Sequence, residues 1–340
     1  MTRPESSLRI STVRDRVRRH LVGRERELDL VLAAVAAGRD IILEGPPGTS
    51  KSTLLRGITA EWGIPLVFVE GNADLTPAKL VGHHNPARVL REDYTADNFV
   101  DGPLLQAMRS GGVLYIEEFN RAPEDTINTL LTAMAERQIA VPRAGTVTAG
   151  PTFRVIASMN PYDNVGTTRL STSVHDRLCR LAVSYQDAEA ERGIVALRAP
   201  LPDAAPELYD RLVADAVAVT RATRDHPDVR QGSSVRGAID VTLVAGQLLD
   251  LADVTGAEAT AAEATAAEAT AAEATGADAT AAGESRADDK RYPEIVYDAM
   301  VVALSGRIFL DETVEATAEA VLRQIWEDRF ILGPATAAPG

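Results

Sequence analysis

Residues 41 to 56 read Ile-Ile-Leu-Glu-Gly-Pro-Pro-Gly-Thr-Ser-Lys-Ser-Thr-Leu-Leu-Arg, a short apolar strand that runs through a glycine-proline loop into an amphipathic helix. No other stretch constrains the chain as much, because this order is the local architecture of a phosphate cradle. Gly45 and Gly48 let the backbone curl so that successive N–H groups point inward, and the helix opening near Lys51 adds its positive N-terminal end. Lys51 is then placed to reach β- and γ-phosphates, and Ser52 to put a hydroxyl on Mg²⁺. The full pattern, G-x-x-x-x-G-K-[ST], has a second glycine where this chain has Ser50; a serine is sterically compatible with that position if its φ is negative.

The flanking sequence supplies the context such a loop needs. Leu54, Leu55, Ile58 and Trp62 fall on one helix face, and a second strand, Leu66 to Glu70, follows Pro65, which completes a parallel β-α-β crossover. Upstream, Leu28, Val31, Leu32 and Val35 recur at helical spacing before Gly38. Val113 to Ile116 reads as a buried strand that delivers Glu117 and Glu118 at its C-terminal end, where ligand sites of open α/β sheets lie. Two carboxylates there can divide the labour, one holding Mg²⁺ through water and the other orienting a water on the γ-phosphate. A helix from Pro123 to Gln138 and a hairpin over 139–153 precede the strand Arg154 to Ser158, which ends at Asn160. The Asn160 amide can hydrogen-bond an attacking water, although Asn-Pro is also a common turn.

Residues 74–100 are polar and irregular and read as an insertion; the adjacent His83 and His84 are a poor chelating pair, expected to be solvated or hydrogen-bonded. Residues 187–250 read as helices, with Arg236 in a first turn where the helix dipole disfavours a cation unless an anion is near. Over 257–280 the unit Ala-Glu-Ala-Thr-Ala repeats; a five-residue period keeps no acid or apolar stripe on one helix face, so solvated, disordered or fluctuating helix is expected.

Composition bounds the surroundings of this site. The 340 residues suffice for two domains, no apolar run reaches membrane-spanning length, and the basic N-terminus lacks an apolar stretch of signal-peptide type, so a cytoplasmic protein is expected. The lone Cys179 excludes an intramolecular disulfide and, lying in an apolar run, is expected to be a buried core thiol. Net charge is -14, with lysine only at 51, 79 and 290, which resembles the surfaces of proteins from salt-loving archaea; a high-GC genome would bias composition the same way. Such a balance disfavours generic binding to nucleic acid or an anionic membrane.

With these residues in place the chain resembles a MoxR-type ATPase of the AAA+ superfamily, close also to the gas-vesicle accessory ATPase and the magnesium-chelatase motor subunit. The resemblance rests on Val22-Gly23, Gly-Pro-Pro-Gly-Thr-Ser-Lys-Ser at 45–52, Gly-Pro-Leu at 102–104, Glu-Glu-Phe-Asn-Arg-Ala-Pro at 117–123 and Ala-Ser-Met-Asn-Pro at 157–161. His-Asp-Arg-Leu at 175–178 and Gly-Ser-Ser-Val-Arg at 232–236 complete it. It implies an α/β fold, a P-loop AAA+ parallel sheet flanked by helices (20–184, with a helix-2 insertion at 74–100 and a pre-sensor-1 hairpin at 139–153), after an N-terminal extension over 1–19. A small all-α lid over 185–335, interrupted by the acidic insert 256–284, would follow.

The resemblance further implies ATP and Mg²⁺ bound in a homo-oligomeric ring, usually a hexamer, that remodels a partner carrying a von Willebrand A-type domain. A chelatase motor or gas-vesicle assembly ATPase is the nearest alternative; a non-catalytic assembly factor or a nucleic-acid motor is a more distant one. Residue by residue it implies nucleotide contacts from Val22, Gly23, Gly45, Pro46, Pro47, Gly48, Thr49, Ser50, Lys51, Ser52 and Thr53, with Mg²⁺ at Ser52 and Glu117. Lys51, Glu118, the sensor-1 amide Asn160, the sensor-2 arginine Arg236 and Arg177, a finger donated to the neighbouring subunit, would carry catalysis. Glu117 stands where the family has aspartate, and the extra methylene shifts the carboxylate or reverses the roles of the two acids.

Overall fold

Successive strand residues point to opposite faces, so a strand buried on both sides must be apolar at nearly every position. The strands over 41–44, 113–117 and 154–159 follow that rule. The computed structural model describes residues 9–92, 94–161, 170–202, 204–270 and 281–332, in two units that divide between Gln186 and Asp187.

The first unit opens with α1 (Ile10–Val17), α2 (Glu25–Ala36), β1 (Ile41–Glu44), α3 (Lys51–Trp62) and β2 (Leu66–Glu70). Next come α4 (Pro77–Val81), β3 (Gly82–His84), α5 (Pro86–Glu92), β4 (Phe99–Asp101) and α6 (Pro103–Ser110). The unit closes with β5 (Val113–Glu117), α7 (Glu124–Glu136), β6 (Gln138–Val141), β7 (Gly145–Thr148), β8 (Arg154–Met159), α8 (Thr172–Arg177) and β9 (Cys179–Ala182). Five strands form one parallel sheet in the order β2-β5-β8-β1-β9. Ile42, Leu114, Ile116, Val155 and Ala157 pack with α6 and α7, whereas Ile41, Leu43, Val113, Tyr115 and Ile156 pack with α1, α2 and α3. This alternation decides which face each functional side chain at a strand end will take.

Residues 1–8 lie outside the described residues; beyond them, within the extension expected over 1–19, α1 buries Val13 and Val17 and pairs Arg14 with Asp29 of α2 at 2.7 Å. Two expectations are corrected here. The start of the 74–100 segment belongs to the core through Leu75 and Leu80, and its later part forms the β3–β4 ribbon, where His84 packs edge-on against Tyr94 and Phe99. Cys179 is exposed, because β9 is the last strand of the sheet and has a neighbour on one side only.

At the end of the sheet away from the phosphate loop, Asp40 is buried beside arginines; Oδ1 accepts the Val155 N–H at 2.7 Å and Oδ2 accepts Arg137 Nη2 at 3.1 Å. Burial raises the Asp40 carboxyl above its ordinary 3.8, against the Val155 hydrogen bond and the nearby arginines. A folded-state value above the unfolded one means that the native protein binds more protons between the two. The stability contributed by Asp40 is therefore complete below 3.8 and is lost as pH rises through the folded value. Asp40→Asn keeps an acceptor for Val155 and removes the titration. Its melting temperature relative to wild type should climb as pH is raised from 3.8 through that window, as followed by calorimetry.

The second unit consists of α9 (Ala188–Arg198), α10 (Pro206–Asp225), β10 (Val229–Gln231), α11 (Val235–Thr270), α12 (Ala281–Leu304), β11 (Phe309–Leu310) and α13 (Ala318–Phe330). It is helical apart from the short antiparallel β10–β11 ribbon. Its apolar core surrounds a buried polar knot in which Asp215 of α10 accepts the Tyr292 hydroxyl at 2.8 Å and Arg329 Nη2 at 2.7 Å. The acidic repeat expected at 256–284 lies partly in α11 and α12, while 271–280 fall outside the described residues. Among the described residues no helix is long and apolar enough to cross a membrane.

Candidate active site

The loop between β1 and α3 is shaped by close packing at one end and left-handed turns at the other. Gly45 donates its N–H to Met159 O at 3.1 Å, and a Cβ built on it would lie 2.0 Å from Val183 O, so only glycine fits there. Gly48 has φ +73°. Ser50 has φ +64° and ψ +19°, which corrects the expectation of a negative φ: the chain must turn sharply to enter α3, and it uses the glycine conformation without a glycine.

Lys51 folds back over the loop. Its Nζ donates to Gly45 O and Pro46 O at 2.8 Å each and lies 3.2 Å from Thr49 Oγ1, while Thr49 Oγ1 donates to Pro46 O at 2.9 Å. A phosphate oxygen entering the loop can replace these carbonyls as the acceptor of Lys51 Nζ, next to the first N–H groups of α3, which have no acceptor within their own helix.

Parity of the β5 strand brings Tyr115 and Glu117 to the α3 face. Ser52 Oγ donates to Glu117 Oε1 at 2.7 Å; the Tyr115 hydroxyl lies 3.2 Å from Ser52 Oγ and 2.9 Å from Ser158 Oγ. Burial pushes the Tyr115 phenol up, with the hydrogen bonds to Ser158 and Ser52 acting against it, so it is a neutral hydroxyl at physiological pH. The residues present fit a magnesium nucleotide: a hydroxyl and a carboxylate, both hard oxygen ligands, meet at the mouth of a cationic loop.

Glu118 leaves the strand at φ +53° and pairs with Arg121 Nη1 at 2.9 Å, whereas Glu117 stays on Ser52. Asn120 Nδ2 donates to Asn160 O at 3.4 Å, which holds the residue after β8 against the turn after β5. Because β5, β8 and β1 are neighbours, Glu117, Glu118, Asn160 and the loop from Gly45 to Thr53 all gather at one end of the sheet.

Val22 and Gly23 join this group through Gln186, whose Nε2 donates to Val22 O at 3.5 Å and Ser50 Oγ at 3.4 Å. Arg177 is exposed at the end of α8, where its Nη1 donates to Ser173 O at 3.1 Å. Arg236 belongs to the second unit; it is exposed in the first turn of α11, and its N–H donates to Ser234 Oγ at 3.4 Å.

Sequence reasoning missed Tyr115, Arg24 and Gln186. Tyr115 carried a usable signal, a polar tip in an apolar strand two residues before Glu117 and so on the same face. Arg24 and Gln186 carried none, since their meeting spans 162 residues of chain.

The AAA domain family (dynein-related subfamily) matches residues 40–178. The gas vesicle ATPase GvpN2 of Halobacterium salinarum is 30% identical over 249 residues, covering 68% of this chain and 69% of that protein. The gas vesicle ATPase GvpN of Ancylobacter aquaticus is 27% identical over 256 residues, 69% of each chain. The gas vesicle ATPase GvpN of Haloferax mediterranei is 30% identical over 212 residues, 58% of this chain and 59% of that protein.

Proposed function

The chain belongs to the GvpN family of gas vesicle ATPases, built on an AAA domain, and on that premise we propose that it hydrolyses Mg-ATP in a homo-oligomeric ring to remodel or assemble a partner protein. The observation that carries this reading is the meeting of Ser52 Oγ with Glu117 Oε1 at 2.7 Å beside a loop whose lysine is already turned inward. Ser52 and Glu117 would hold the metal, which would supply positive charge beside the phosphates. Lys51 and the N–H groups of 48–53 bind the phosphates.

Glu118, leaving the strand after the metal-side acid, orients the water that attacks, with Asn160 beside it. Val22 and Gly23 face the adenine. Arg177 serves the site of a neighbouring subunit, for which its exposure suits it, and Arg236 contacts the γ-phosphate. A ring of six fits the family pattern. Charge of -14 with three lysines supports an origin in a salt-loving archaeon, where a Debye length of about 3 Å at 1 M salt leaves phosphate binding to direct contacts.

The partner is a protein with a von Willebrand A-type domain. A second reading, gas-vesicle assembly, is favoured by the relatives named for it. One experiment separates the two: Glu118→Gln, tagged and saturated with Mg-ATP, is used to capture partners from its own cells. A von Willebrand A-type protein in the eluate supports the first reading, and gas-vesicle proteins support the second. Nucleic acid as the main captured species, with ATPase activity stimulated by it, would overturn both.

A further inference from the structure

Ser50 poses a problem that its own loop does not solve. A left-handed residue other than glycine is strained and persists only where its surroundings hold it. The holding contact comes from the segment after β9. Gln186 is 5% exposed, and its Oε1 accepts Arg24 Nη2 at 2.9 Å. Arg24 is 2% exposed and is itself fastened, by Nη2 to Ser184 O at 2.6 Å and by Nη1 to Glu27 Oε1 at 3.0 Å.

An arginine can only donate, so this bond assigns the amide: Gln186 must turn its oxygen to Arg24 and its NH₂ the other way. That NH₂ has two hydrogens and meets two acceptors, Ser50 Oγ at 3.4 Å and Val22 O at 3.5 Å. These are long bonds. Their direction is nevertheless set by the shorter, charge-assisted contact on the other side of the amide.

We infer that Gln186, oriented by Arg24, is a positioning residue of the nucleotide site: its carboxamide ties the Val22–Arg24 segment to the phosphate loop and holds Ser50 in the left-handed turn that a glycine would adopt unaided. The assignment rests on the nucleotide reading given above. Its physical content is a population. Without the amide, Ser50 relaxes toward negative φ, the fraction of loops shaped for phosphate falls, and the apparent Kd rises by the inverse of that fraction. With glycine at position 50 both signs of φ are open, and the amide has little left to hold.

The test is a double-mutant cycle on full-length protein, read as the Kd of the fluorescent N-methylanthraniloyl derivative of ATP with Mg²⁺. Gln186→Met should weaken binding by about fivefold to tenfold in the wild-type background and by less than about twofold in the Ser50→Gly background. Ser50→Ala, which removes the acceptor and leaves Arg24 and Gln186 in place, should weaken binding by about fivefold and keeps the test decisive if Gln186→Met folds poorly. Equal losses from Gln186→Met in both backgrounds, or wild-type affinity in Ser50→Ala, would overturn the assignment. Lys51→Ala separates the two levels. If it binds the probe as well as wild type does, the nucleotide reading falls and this assignment with it; if it loses the probe while the cycle shows no coupling, only the role of Gln186 falls.

Discussion

Glu118→Gln is expected to lower kcat for ATP hydrolysis by roughly 10²–10³-fold, about 2.7–4 kcal/mol of barrier, with ATP affinity within about twofold of wild type. The size follows from replacing a group that can accept a proton by one of equal shape that cannot. The separation of kcat from binding follows from the turn after β5. Glu117 turns its carboxylate to Ser52 at 2.7 Å, whereas Glu118 sits at φ +53°, outside the strand, and pairs with Arg121 at 2.9 Å. Glu117→Gln should therefore show the opposite pattern, a loss of Mg²⁺-dependent affinity first. Steady-state turnover measured beside a nucleotide titration distinguishes them. Equal turnover in Glu118→Gln and wild type would leave ATP a structural role.

Gly45→Ala is expected to cost the first unit more than about 3 kcal/mol, lowering its melting temperature by roughly 6–12 °C, and to abolish nucleotide binding. The new Cβ would lie 2.0 Å from Val183 O and 3.0 Å from Val183 C, and these are backbone atoms of the segment leaving β9. They cannot swing aside as a side chain does. Val183 also donates its N–H to Glu44 O at 2.7 Å, so separating the chains breaks the last bond of the β1–β9 pairing. Gly63→Ala is the control: its φ is +68°, nothing lies within 4 Å, and only the left-handed penalty of about 1 kcal/mol applies. Calorimetric scans of the two variants should differ clearly; identical scans would mean that the β9 edge yields without cost.

Much of the site was legible because it is local. The cradle at 45–53 needs glycine, lysine and hydroxyl residues at fixed short spacings, and the strand-loop-helix order around it follows from periodicity. The same parity argument puts Glu117 on the face of Tyr115 and at the strand end where ligands bind. What periodicity does not encode is which strand lies beside which. A buried parallel strand is apolar on both faces whether it is central or at the edge, so Cys179 in an apolar run was expected to be buried, yet β9 leaves it exposed.

Tertiary structure alone decided the contacts that cross the chain. Ser52 meets Glu117 across 65 residues because β1 and β5 flank β8, and Gln186 reaches Ser50 across 136 residues because β9 lies beside β1. The sign of φ at Ser50 belongs to the same class. A serine by itself prefers the negative region, and only the packing of a distant amide and a buried arginine makes the other choice hold. By itself, then, the sequence determined that a nucleotide loop exists and where the acids stand along the chain. The assembled sheet determined which of those acids holds the loop's serine and how a loop lacking its second glycine keeps its shape, because both depend on strand order, which local pattern leaves open.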